Sequence, residues 1–358
     1  MKFPLKLSSL LFCCFICACN QARKSDYLVI DLTNNHQLPI EKIALSEISE
    51  TIQIIPLETS DSVLIGRISG IKMEADRLYV RASNGVFVFD SNGKFLNTVG
   101  SKGRGPREYV YLYDLFPENN MVWLIDASGK KVLKFTDAGR FVESFELEKQ
   151  IFTEFYHTGD DTFIGFVPDF CQPNTDIMLA FFNKMGMVDS ILYRNPIKEG
   201  NTMVRFYVAE VNFINHGKRL KFKHLFNDTI YSIKNNKLTP EIALHLGARK
   251  ANENARAEAA VQSPGAVDIF KDMDRAWLLG ENDRYIYLKV EDNPFFYDKK
   301  EQKVHKWTLS LPEDKRIDLE QSIKFNPLYI DKNGHLIGET SPANAEDNPV
   351  IVVAKLKR

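Results

Sequence analysis

Val86-Phe87-Val88-Phe89-Asp90-Ser91-Asn92-Gly93-Lys94-Phe95 and Val132-Leu133-Lys134-Phe135-Thr136-Asp137-Ala138-Gly139-Arg140-Phe141 are two copies of one unit. Each is an apolar strand with an aromatic near its end, a polar turn containing glycine, and the start of another strand. Aligning Phe89, Phe135, Phe182, Tyr231, Tyr297 and about Val352 gives offsets of 46, 47, 49, 66 and about 55 residues. Self-similarity with a period of about 40 to 50 residues marks propeller blades, so the two long intervals carry insertions. A second signal recurs upstream of each aromatic: a tight polar turn followed by an apolar strand. Asn119-Asn120 before Met121-Val122-Trp123-Leu124 and Asp160-Asp161 before Thr162-Phe163-Ile164 are examples. Asn, Asp and Gly mark these corners because they tolerate the positive φ of hairpin turns. Six copies of two independent signals define an all-β chain, a six-bladed β-propeller.

The termini add a closure rule. Each unit ends with an outer strand after the aromatic, but the last, Ile351 to Leu356, stops without one. Thr51-Ile52-Gln53-Ile54-Ile55-Pro56-Leu57 is the available donor, and this N-terminal strand is expected to close the ring. Closure by strand exchange leaves only short protected edges. Truncation before Leu57 is therefore expected to cost far more stability than truncation before Ser46. The irregular segments fall on one face, that of the loops between the two middle strands and of the connections between blades. They are Gly100 to Tyr109, Pro168-Asp169 with Gln172 to Asp176, Arg249 to Gln262, Leu311 to Leu319 and Thr340 to Asn348. Arg249 to Gln262 is Ala/Glu-rich and is expected to form one short inserted helix. Insertions gathered on one side of a repeat fold mark its binding face.

The N-terminus carries a different message. Lys2 and Lys6 precede an apolar run, Leu7 to Ala18, too short for a bilayer, which needs about 20 residues, and of signal-peptide proportions. Ile16-Cys17-Ala18-Cys19 resembles the lipobox of bacterial lipoproteins, which implies cleavage before Cys19 and lipidation of that residue. Cys13, Cys14 and Cys17 offer other registers, and an ordinary secretory signal is the alternative. The chain is thus divided into a signal peptide at 1–18, a lipidated linker and N-terminal extension at 19–45, and the propeller at 46–358. Four of the five cysteines lie in or at the end of the signal, so Cys171 has no intrachain partner. Removing Lys2 and Lys6 leaves 46 − 2 = 44 basic against 47 acidic residues, net −3. That balance argues against nucleic acid, which needs a basic field. The membrane is met through the N-terminal lipid anchor.

Leu57-Glu58-Thr59, Ile65-Gly66, Phe89-Asp90 with Gly93-Lys94-Phe95, Gly103-Arg104-Gly105-Pro106-Arg107-Glu108-Tyr109 and Asn227-Asp228-Thr229-Ile230-Tyr231 resemble the six-bladed propeller lipoproteins of Bacteroidetes. Those are similar in architecture to NHL-type propellers. The resemblance runs from about residue 40 to the end. It implies a fold and a place in the cell envelope, with the outer membrane expected, and no catalytic residues.

Candidate ligand-binding residues follow from the irregular face. Arg104 and Arg107 could clamp a carboxylate or sulfate at the pore mouth, with Glu108 and Tyr109 beside them. The competing reading has Arg107, Glu108 and Tyr109 pairing with backbone and one another to fix the corner between blades. Asp169, Asp176 and His224 complete the candidate set. His157 and His224 are the histidines placed toward the central channel. The seven histidines show no ligand-like spacing, so no metal and no cofactor is expected. Paired glycosidase carboxylates, the sialidase box and a G-x-S-x-G elbow find no match. The expectation is a non-enzymatic binding or scaffold module holding a glycan, peptide or envelope protein on the loop-rich face. The alternative is a hydrolase or lyase with a metal or carboxylate site at the channel mouth.

Overall fold

Six antiparallel sheets surround a central axis in the computed structural model, which describes residues 27–147, 150–167, 176–194, 211–217, 219–255, 270–312, 325–342 and 344–358. Blades 1 to 3 each take four consecutive strands, ending in the outer strands Phe95–Thr98, Phe141–Glu146 and Val188–Arg194. Blades 4 and 5 end in Lys237–His245 and Lys303–Ser310. Their first strands, Val211–His216 and Ala276–Glu281, lie against each other beside the axis. Each aromatic of the repeat sits on a third strand: Phe89 in Gly85–Asp90, Phe135 in Lys131–Thr136, Phe182 in Ile177–Asn183. These middle strands are buried on both sides because blades stack face to face, so they read as continuous apolar runs. The outer strand Phe141–Glu146 alternates between half-buried and exposed residues, as a half-covered strand should.

Ring closure is as expected. Ser49–Pro56 pairs antiparallel with Val350–Leu356, placing Ile54 opposite Val352. Asn348 fastens the joint: its side-chain amide donates to the carbonyls of Glu58 (2.7 Å) and Val63 (2.6 Å), and its Oδ1 accepts from the Ile65 amide at 2.8 Å. The Leu57-Glu58-Thr59 and Ile65-Gly66 stretches that carry the resemblance are thus held by one buried side chain.

The extension before residue 46 is more than a linker. Leu28–Asp31 adds a parallel fifth strand to blade 4, and Ile40–Ala44 adds one to blade 5. The four-residue helix Leu45–Ile48 then leads into the closing strand. Ile30, Leu32 and Leu45 are at most 1% exposed. Burial of these side chains is what docks the segment as a belt, so residues from Leu28 onward belong to the folded body. Of the expected insertion helix over Arg249 to Gln262, residues 253–255 are helical and 256–262 lie outside the described residues; a 3₁₀ turn, Gly247–Arg249, leads into it.

Turns between first and second strands, and between third and fourth, span two to four residues. Asn119 and Asn120 have φ of 50° and 60°, and Asp160 and Asp161 have 47° and 62°. Asn235 and Asn236 have 49° and 57°. Positive φ at both central positions is the geometry of two-residue hairpins that match the twist of the strands.

Candidate functional site

The Gly103–Tyr109 segment connects the outer strand of blade 1 to the inner strand of blade 2, and its geometry is that of a corner. The Glu108 carboxylate folds back over the loop and accepts from the Gly105 amide at 2.9 Å. A Cβ on Gly103 would lie 1.9 Å from that carboxylate, which would then have to swing away from the loop. Tyr109 is 2% exposed and packs into the cluster of Val86, Val88, Val99 and Phe135. Lys131 Nζ donates to the Gly105 carbonyl at 2.8 Å, tying the loop to blade 2. Arg107 lies over the Phe141 ring at 5.4 Å, and both Arg104 and Arg107 are exposed. Glu108 and Tyr109 are thus spent on the backbone and the core of the corner, and Arg107 lies over a neighbouring ring.

The remaining sequence candidates are scattered. Cys19 and Asp169 lie outside the described residues. Asp176 is exposed and pairs with Arg194 across the end of blade 3. His224 is fully buried, with Nδ1 3.0 Å from Glu253 of the insertion and its ring 6.1 Å from that of Tyr193. Beside it Lys223, also buried, donates to the carbonyls of His224 (2.6 Å) and Asn227. Burial pulls the Lys223 ammonium down to about 7, partly opposed by the charge of Asp228. These groups fasten blades 3 and 4 beneath the insertion, and the structure does not bring them together with the Gly103–Tyr109 corner.

A concave site does exist, on the opposite face from the Gly103–Tyr109 corner. A groove of about 590 Å³ lies between blades 3 and 4, within the range of small-ligand sites. Its edge is made by turns: Thr158 to Asp160 of blade 3 and Asn235-Asn236 of blade 4. Its deeper wall comes from inner strands, with Glu118, Tyr156, His157 and Asn215, and an apolar strip of Phe181, Leu220 and Ile233. His157 Nδ1 and Glu118 Oε2 are 2.6 Å apart, which fixes the imidazole. Asn215 Nδ2 donates to the Tyr156 hydroxyl at 2.6 Å. Burial, with the negative charge of Glu118, pushes the Tyr156 phenol up to about 12, so it stays an O–H. Among the described residues, no Lys or Arg contributes to the lining.

Sequence reasoning placed His157 toward the channel but missed Tyr156, Asn215, Asn235 and Asn236. Asn235-Asn236 is a turn signal of the same kind as Asn119-Asn120, and nothing in the residues distinguishes a turn that lines a groove from one that does not. Close by, the fully buried Lys221 binds Glu281 at 2.5 Å and Glu241 at 2.8 Å. Burial would raise the Glu281 carboxyl, but Lys221 and Lys299 outweigh it and hold the group below its ordinary value. Among the described residues, no three His, Cys, Asp or Glu side chains are grouped as ligands for one metal ion.

Comparison with known proteins supports the architecture. The chain is similar to a Bacteroides fragilis protein described as exported, at 15% identity and a TM-score of 0.63, covering 93% of this chain and 100% of that one. It is also similar to a member of the DUF4221 family from Bacteroides vulgatus, at 12% identity and a TM-score of 0.52, covering 87% of this chain and 97% of the other. At these identities the likeness shows the fold. No curated protein matches the chain. The profile of a domain of unknown function, DUF4934, matches residues 27–355, from the belt strand on blade 4 to the last strand, Val350–Leu356, of blade 6. With nearly the whole ring inside that match, the chain belongs to the DUF4934 family.

Proposed function

We propose that this propeller is an exported, lipid-anchored protein of the cell envelope that works as a non-enzymatic binding module, with its ligand seated in the groove between blades 3 and 4. The groove carries the reading: it is a concave site of about 590 Å³ whose walls are inner strands and tight hairpins. Sites built on such elements hold their geometry better than sites on long loops. The signal-like N-terminus and Cys19 support export and anchoring, and the description of the Bacteroides fragilis propeller as exported agrees with them. The resemblance to Bacteroidetes propeller lipoproteins points to the same compartment. The loop-rich face, first choice from sequence, becomes secondary because its most specific motif is occupied with holding a corner.

Photo-crosslinkers at Asn236 in the groove and at Arg104 on the opposite face, in the lipidated protein in its native membranes, test the seat. Capture from Asn236 alone is expected. Capture from Arg104 alone would return function to the loop-rich face. Cys19→Ser should abolish labelling by fatty acid and release the protein from membranes; continued labelling would remove Cys19 as the anchor. The Glu118–His157 pair in the groove favours the enzymatic alternative, since a carboxylate-oriented imidazole suits a general base. Turnover of a substrate that is lost in His157→Gln would replace binding with catalysis.

A further inference from the structure

We infer that the groove between blades 3 and 4 takes an uncharged, hydroxyl-rich ligand, the end of a glycan chain; this rests on the groove being the ligand seat. The lining supplies donors and acceptors side by side. Tyr156 is an O–H, His157 retains Nε2 after Nδ1 engages Glu118, and the amides of Asn215, Asn235 and Asn236 both donate and accept. Thr158, Thr162 and the Asp160 carboxylate continue the pattern at the edge. A hydroxyl is the group that uses such a mixture, because each one donates once and accepts twice.

The competing chemistries fit less well. A phosphate, sulfate or uronate would find Glu118 and Asp160 and, among the described residues, no Lys or Arg in the lining. A wholly apolar ligand would strip water from carboxylate and amide groups without replacing their hydrogen bonds. A cation would find Asp160, but the second carboxylate, Glu118, is already held by His157 at 2.6 Å. The apolar strip of Phe181, Leu220 and Ile233 gives the C–H face of a sugar ring something to lie against. The open hairpin edge leaves room for a chain to continue outward.

The test uses the full mature lipoprotein in detergent, titrated with neutral hexose oligosaccharides, sulfated oligosaccharides and spermidine. Saturable binding of a neutral oligosaccharide is expected. Tyr156→Phe, which keeps the ring and removes the donor, should weaken it by roughly tenfold. The double variant Asn235→Gly, Asn236→Gly keeps the positive-φ turn and should weaken binding in parallel, which guards against misfolding of the buried variant. Preference for the sulfated probes, or binding of spermidine alone, overturns the ligand class. If the turn variant weakens that binding, the groove stands as the seat even though the class has fallen. Binding of no probe overturns the class as well, while crosslinking from Asn236 still reports on the seat independently.

Discussion

Lys223 shows how much a single buried residue can reveal about this fold. Its ammonium is enclosed at the junction of blade 4 and the insertion and satisfied by two backbone carbonyls. Burial lowers its pKa from 10.5 to about 7, against the pull of Asp228 and Glu253 and with the push of Lys250. Between those values the unfolded chain binds a proton that the folded chain does not, so this group makes stability rise with pH from about 7 to 10.5. Below about 7 both states are protonated and the full cost of enclosing the cation is felt; above 10.5 neither is, and the cost is gone. Lys223→Met should flatten that rise in chemical denaturation at pH 7, 8.5 and 10. An unchanged slope in the variant would place the titration on another group. His335 works in the opposite sense: its hydrogen bond to Asp331 raises its pKa. It stabilises the fold most fully below its unfolded pKa near 6.5, and that contribution fades as pH rises through the raised value. His335→Asn should therefore lower the melting temperature at pH 5.5 more than at pH 8.5, and equal losses would argue for packing instead of charge.

The glycines of the Gly-Lys-Phe and Gly-Arg-Phe repeats belong to the scale of the element. Gly93, Gly139 and Gly186 occupy turns between third and fourth strands with φ of 83°, 78° and 68°. A Cβ on each would lie 2.0 Å from the Pro56 carbonyl oxygen, 2.4 Å from that of Thr98 and 2.2 Å from that of Glu146. Those oxygens end the outer strands of blades 6, 1 and 2, so each turn butts against the blade before it. Gly139→Ala combines left-handed backbone with a main-chain collision and should destabilise by more than about 1 kcal/mol in denaturant unfolding. A neutral result would mean that the blades can part slightly without loss. The repeat was legible because such contacts recur blade after blade, leaving a glycine and an aromatic at fixed offsets. The same logic explains what was not legible. Tyr156 and Asn215 face each other across two blades, 59 residues apart in sequence. Their pairing depends on how blades stack, which no local pattern encodes. Leu28–Asp31 and Ile40–Ala44 escaped notice because short strands that dock in parallel on an existing edge carry no hairpin signal.

On the scale of the molecule, the N-terminal segment runs from blade 4 to blade 5 and then becomes the outer strand of blade 6. From the repeat alone, only the last of these steps should matter to stability. The belt changes that ranking. Removing everything before Ser46 takes away Ile30, Leu32 and Leu45, and buried aliphatic side chains of this kind contribute about 1.5–3 kcal/mol each. It also bares the outer edges of blades 4 and 5, where unpaired strands invite association. The ring itself would still close, because Ser49–Pro56 remains on Val350–Leu356. Removing everything before Leu57 opens blade 6 and strips Ile55 from the cluster it shares with Ile71, Leu78 and Ile351. Three chains should therefore melt in a fixed order, the intact one highest, the one starting at Ser46 lower and prone to self-associate, and the one starting at Leu57 lowest and without a single cooperative transition. If the chain starting at Ser46 melted with the intact protein, the belt would be a passive tether. If the two truncated chains melted together, closure through blade 6 would add nothing beyond the belt, and the ring would be held by blade-to-blade packing alone.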